Sequence, residues 1–216
     1  MEFVDVLKSP TPYTKTLDVM PSVLKHVKNV LIPLDPAYEA QFQTHKVDNF
    51  HEKILDFKER YKNATPNVWI DSGGYAFTRG RFLPKHVPGM IKIYHYFIEK
   101  YFQDISYIFS LDLNFNRKDN TFCTDLEKIK EANYASLKNS RDLIEKNPVL
   151  ADKFYFVEHF VASGRYDIWG ELYNELDLCR YVKNRALGGM VGLRTNRPNA
   201  PSPFIEIGRA SCRERV

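Results

Sequence analysis

Asn67-Val68-Trp69-Ile70-Asp71-Ser72-Gly73-Gly74-Tyr75 sets the architecture. Val68, Trp69 and Ile70 make an apolar run of strand length, and Asp71 to Gly74 then stop and turn the chain. Past the turn the hydrophobic period changes. Between residues 84 and 102, Met90, Ile91, Tyr94, Phe97, Ile98 and Tyr101 recur at helical spacing, which places one apolar stripe on one face. The same strand-to-helix unit repeats downstream. Residues 105–113 predict the next strand. Thr124 and Glu127 form a capping box that opens a helix through Leu126, Ile129, Leu137 and Ile144, and Asn147-Pro148 ends it. Residues 154–160 predict a third strand, and Asp167 caps a helix carrying Ile168, Leu172, Leu176 and Cys179. Residues 186–193 predict a fourth strand, interrupted by glycines. Apolar strands alternating with helices call for an α/β protein with a parallel sheet covered on both faces. A closed barrel and an open doubly wound sheet both satisfy that pattern.

Outside this stretch the pattern weakens. Pro10, Pro12, Pro21, Pro33 and Pro36 punctuate residues 1–66, which read as an irregular segment packing on the sheet domain, with one helix at 47–61. Residues 67–206 read as the strand-and-helix domain, a partial (β/α) unit. The last ten, 207–216, lack any hydrophobic period and resemble the translation of sequencing-adapter read-through, so they are set aside as a non-native tail. They carry three arginines and one glutamate, so without them the net charge falls from +4 to +2. That excess is too small to argue for nucleic acid by itself. The chain then reads as the N-terminal part of a longer protein.

The 216 residues suffice for one large domain or two small ones. With 44% hydrophobic and 27% charged residues, the composition is globular rather than disordered or fibrous. No apolar run approaches a membrane span, and the first residues lack a signal-peptide layout. Cys123, Cys179 and Cys212 show no paired spacing, so neither a disulfide framework nor a zinc site is legible. The expectation is a cytoplasmic protein.

Ligands of parallel α/β sheets bind beyond the carboxyl ends of the strands, whichever closure applies. That rule selects Asp71 to Tyr75, Asp112, Glu158 with His159, and Gly188-Gly189-Met190. Carboxylates beside a glycine pair suit a planar ligand rich in N–H donors, such as a purine, approaching the backbone closely. Each piece also has a plainer reading, because an Asp after a strand commonly forms a turn and Gly-Gly is commonly only a turn. Taken together, the four strand ends favour a site.

Asp71-Ser72-Gly73-Gly74-Tyr75 resembles the D-S-G-G-[FY] signature of the tRNA-guanine transglycosylases and their DNA-modifying relatives, the 7-deazaguanine DNA transglycosylases of phages and bacteria. Order and spacing extend the resemblance over residues 67 to about 194. A strand-end Asp is met by Asp112, a glutamine-glycine segment by the Glu158-His159 region, and a Gly-Gly-Leu-type strand by Gly188-Gly189-Met190. The family implies a (β/α)8 barrel, here incomplete at its C-terminus. It exchanges guanine in a nucleic acid for a 7-deazaguanine through a glycosyl–enzyme intermediate. By the resemblance Asp71 is the acid/base carboxylate. Ser72, Gly73 and Gly74 lie beside the base, Tyr75 stacks on it and Asp112 reads the guanine edge. Glu158 or His159 takes the glutamine's place, and Gly188, Gly189 and Met190 offer backbone hydrogen bonds. The sequence departs from the family at Ala76, where a glutamine is usual. The family's nucleophile and its cysteine/histidine zinc cluster fall downstream of residue 206, so no cofactor is expected from this chain.

DNA is preferred over tRNA because the surrounding sequence departs strongly from the tRNA enzymes. Arg79, Arg81 and Arg194 sit on the same rim and are candidates for phosphate contacts. His95, among Tyr94, Tyr96 and Phe97, reads as structural, and Cys179 as a buried or half-buried thiol. Two rival functions remain: a phosphate-binding barrel enzyme on a small substrate, with Gly188-Gly189 as cradle, and a catalytically inactive nucleic-acid-binding relative.

Overall fold

The computed structural model describes residues 6–8, 29–38, 42–113, 126–158 and 167–187. Six strands form one sheet: β1 Val6–Lys8, β2 Asn29–Pro33, β3 Asn67–Asp71, β4 Tyr107–Phe109, β5 Phe154–Glu158 and β6 Asn184–Leu187. They lie in sequence order and every neighbouring pair is parallel. Six helices complete the described fold: α1 Thr44–Arg60, α2 Gly74–Thr78, α3 Val87–Tyr101, α4 Leu126–Lys146, α5 Leu150–Lys153 and α6 Asp167–Glu175. None of the described helices is long and apolar enough to cross a membrane.

Strand alternation divides the sheet into two unlike faces. Val30, Ile32, Val68, Ile70, Ile108, Phe154 and Phe156 share one face and are buried in a single core with the apolar stripes of α1, α3, α4 and α6. Each such side chain contributes about 1.5–3 kcal/mol by leaving water. Trp69, Tyr107, Phe109 and Tyr155 occupy the other face and pack on one another, with ring centroids 4.5–5.8 Å apart. None of these four belongs to the helix core. The apolar stripes of the described helices converge on one side of the sheet.

Four expectations change. Residues before 67 hold a strand as well as the expected helix, because β2 pairs with β3 along its whole length, from Asn29↔Asn67 to Pro33↔Asp71, while α1 buries Val47, Phe50, Ile54 and Phe57. Strand β4 is shorter than the apolar run that predicts it. Beyond Ser110 the backbone bonds to side chains of α4 instead: Asn133 binds the N–H and C=O of Leu113, and Ser136 donates to the Leu111 carbonyl. Strand β6 starts at Asn184 rather than 186, and Cys179 is exposed, its thiol 3.4 Å from Asn174 Oδ1. Trp169 and Tyr173 are core residues, as the helical spacing implies. Residues 159–166, 188–206 and the tail 207–216 lie outside the described residues.

Candidate functional site

The carboxyl ends of β2 and β3 frame a cleft of about 230 Å³ lined by Pro33, Asp35, Asp71, Gly73, Tyr75, Ala76, Arg79 and Arg81. Its floor is set by the pairing of the two strands, with Pro33 beside Asp71 and the Leu34 N–H donating to the Asp71 carbonyl. Past Asp71 the chain makes an Asx turn, in which the Gly73 N–H donates to Asp71 Oδ1 at 3.1 Å. Gly73 has φ +78°, a conformation that favours glycine. Helix α2 then carries Tyr75 outward, where its ring is 43% exposed.

Both glycines have a reason within the chain. A Cβ on Gly73 would come within 2.8 Å of the Asp35 nitrogen and the Tyr38 ring. A Cβ on Gly74 would lie 2.1 Å from the Asp112 carbonyl oxygen. The pair thus lets three segments close on one another. The space beside the glycines is filled by protein.

Ser72 and Asp112 sit behind the cleft rather than in it. The fully buried Ser72 hydroxyl donates to Asp112 Oδ1 at 2.7 Å and accepts from the Gly74 N–H at 3.3 Å. Asp112 is fixed in turn by the side chains of α4 that hold residues 111–113. Tyr38, also fully buried, donates to the Ser72 carbonyl at 2.6 Å. Burial above all, then the nearby charges of Asp71, Asp112 and Asp35, pushes the Tyr38 hydroxyl well above the usual phenol range.

The cleft's outer wall is cationic. Arg81 pairs with Asp35 at 2.9 Å while its side chain stays about half exposed. Arg79 lies over the Tyr75 ring, 5.7 Å from its centroid, with a guanidinium nitrogen 3.4 Å from the phenol oxygen. One small space therefore presents carboxylates, an exposed aromatic face and two guanidinium groups. That set can stack a planar ring, accept from its N–H groups, move a proton at Asp71 and bind a neighbouring anion.

Of the expected site residues, Asp71, Gly73, Tyr75, Arg79 and Arg81 line the cleft, and Ser72, Gly74 and Asp112 support it. Glu158 is not brought to it. Alternation from Phe154 and Phe156 turns its side chain to the helix face, where its carboxylate lies 3.6 Å from Arg185, beside Tyr173 of α6. Burial, followed by the Glu158 charge, raises the Tyr173 hydroxyl far above the phenol range. His159, Gly188, Gly189, Met190 and Arg194 lie outside the described residues. Sequence reasoning missed Pro33, Asp35, Tyr38 and Ala76. A signal existed for the first two, since the apolar run Val30-Leu31-Ile32 ends at Pro33 and a turn-forming Asp35-Pro36.

Among the described residues, no group of three or more His, Cys, Asp or Glu is placed to hold a metal ion. Compared with known proteins, the chain matches no protein-family model and no curated protein sequence.

Proposed function

We propose that this chain carries the base-binding and acid/base half of a guanine transglycosylase, a pentosyltransferase that exchanges guanine in nucleic acid for a 7-deazaguanine. One observation carries the reading: the Asp71 carboxylate, the exposed Tyr75 ring and the Arg79 and Arg81 guanidinium groups line a single cleft at strand carboxyl ends. In this reading Tyr75 stacks on the base, an interaction of about 1–3 kcal/mol that tolerates different purines. Arg79 and Arg81 take the flanking phosphates. When the glycosidic bond breaks, the departing guanine nitrogen must gain a proton, and the incoming base must lose one. Asp71 carries that proton in both directions. Asp112 supports the base-binding turn from behind Ser72, its Oδ1 accepting the serine hydroxyl. The nucleophile of the glycosyl–enzyme intermediate is assigned to none of these residues.

The same proposal includes closure of the sheet as a (β/α)8 barrel. Strand order without reversal, with the described helices sharing a core on one face, is the arrangement that winds in one direction, whereas doubly wound sheets reverse their order and carry helices on both faces. The aromatic set of Trp69, Tyr107, Phe109 and Tyr155 then faces the barrel interior.

The test is exchange of labelled guanine into DNA and into tRNA, in parallel, by the protein. Incorporation into DNA that Asp71→Ala abolishes supports the reading. Incorporation into tRNA alone would replace the DNA preference. Binding of nucleic acid with no exchange, unaltered by Asp71→Asn, would leave an inactive binder.

A further inference from the structure

The acid/base role of Asp71 requires that its carboxyl group be held in place and be ionised when it takes the proton of the incoming base, and a continuous series of contacts reaches it from the buried side. Asp71 Oδ1 accepts from the Gly73 N–H at 3.1 Å. That nitrogen belongs to the same peptide group as the Ser72 carbonyl, whose oxygen accepts from the Tyr38 hydroxyl at 2.6 Å. Phenol, peptide and carboxylate therefore stand in line. A peptide whose oxygen accepts a hydrogen bond becomes a stronger donor at its N–H, and such chains reinforce one another where the dielectric is low. Tyr38 and Ser72 are completely buried, so water does not compete for the central bond. Tyr38 reaches this point from the single turn of 3-10 helix after β2, Asp35–Ala37, and its ring packs edge-on against Phe82 with centroids 6.0 Å apart. Burial and the surrounding carboxylates keep the proton on its hydroxyl across the working pH range.

We infer that Tyr38 is a positioning residue for the proposed reaction: through the Ser72–Gly73 peptide it fixes the Asp71 carboxylate against the cleft and favours its ionised form. No proton moves along the series, and every donor retains its hydrogen. The inference rests on Asp71 being the acid/base group. Among the described residues, the charged and titratable groups around Asp71 include Asp35, Tyr75, Arg79 and Arg81 in the cleft lining and Asp112 behind Ser72. Removing one hydroxyl from Tyr38 leaves all of them in the protein.

The experiment compares Tyr38→Phe with Tyr94→Phe. Tyr94 is equally buried and donates to the Phe109 carbonyl at 2.8 Å rather than to the Ser72–Gly73 peptide, so its loss removes a comparable hydroxyl near Tyr38 without breaking a bond of the Asp71 series. Carbon-13 NMR follows the aspartate carboxyl titrations, with Asp71 assigned through Asp71→Asn, and the pH dependence of exchange is measured beside it. For Tyr38→Phe the Asp71 titration midpoint rises by about half a pH unit, the size expected from weakening one charge-assisted hydrogen bond by roughly 10–30%. The acid limb of kcat shifts upward with it while KM is unchanged, and Tyr94→Phe moves neither. Incorporating 3-fluorotyrosine at position 38, a stronger donor of nearly the same shape, moves the midpoint downward, which keeps the question answerable should Tyr38→Phe not fold. An unmoved midpoint in both position-38 proteins, or an equal shift in Tyr94→Phe, overturns the inference. Absence of exchange in the unaltered protein defeats the functional reading instead, and the titrations still decide the series.

Discussion

The two ends of this sheet use charge in opposite ways. Where the chain enters β4 and β5, ionic groups are consumed locally: His51 Nε2 lies 2.8 Å from Asp104 with its ring stacked on Tyr101, and Lys58 donates to the Asp104 carbonyl. Lys153 donates to the carbonyls of Phe102 and Ile105 at 2.7 and 2.6 Å, and burial lowers its pKa. At the carboxyl ends, by contrast, Asp71 is held by a backbone N–H and Asp112 by a hydroxyl. Arg81 keeps about half of its side chain in solvent while paired to Asp35. Cations that satisfy carbonyls tie segments together, which stabilises. The difference sets an edge tied by cations to carbonyls against the edge that carries the proposed site.

Substitutions put that contrast at risk. Gly74→Ala has the largest expected effect on stability, because its Cβ would press on the Asp112 backbone at 2.1 Å with no flexible atom to give way. A loss of about 1–3 kcal/mol is expected in chemical denaturation. The edge that carries the proposed site should fail with it, since the clash falls on the segment that positions Asp112. A Gly74→Ala protein of unchanged stability would mean that the segment after β4 and the glycine turn do not approach this closely.

Lys153→Met probes the contrast from the other edge. It leaves two carbonyls without their donor, at a cost of about 1–2 kcal/mol, and guanine exchange measured per folded molecule should be unaffected. A drop in exchange with normal unfolding would show that the edges are coupled.

Asp48→Asn carries the smallest effect. Burial works against the Asp48 charge, but hydrogen bonds from Tyr101, Lys100 and Tyr96 outweigh it and hold the carboxyl below its ordinary range. A folded-state value below the unfolded one contributes stability at neutral pH that is lost as pH falls through the folded value. The variant should therefore lie slightly below the parent in thermal midpoint at pH 7 and match it in strong acid. A gap that persists in acid would assign the contribution to packing rather than charge.

Much of the helical layer is legible in the sequence because its evidence is local. The stripe from Met90 to Tyr101 appears as α3, and the run from Leu126 to the stop at Asn147-Pro148 appears as α4. Strand β3 carries the bounds its apolar run implies. Strand β2 escapes such a reading because Pro33 and Pro36 mark a turn as readily as a strand end, and only pairing with β3 distinguishes the two. The same pairing brings Asp35 and Tyr38 to Asp71 from more than thirty positions away. Glu158 shows the converse. Its place at a strand end is readable, but the side to which it points follows from the register of β5 against β4.

The alternation of strand and helix, and the position of Asp71-Ser72-Gly73-Gly74-Tyr75 at a strand end, are written in the sequence itself, since both depend on periods and turn residues within a few positions of each other. Folding in three dimensions selects which face of the sheet receives the described helices, makes both glycines necessary and gathers distant groups around Asp71. Those outcomes depend on contacts between segments far apart in the chain, where a hydroxyl, a carbonyl or a missing Cβ matters only once another strand lies against it.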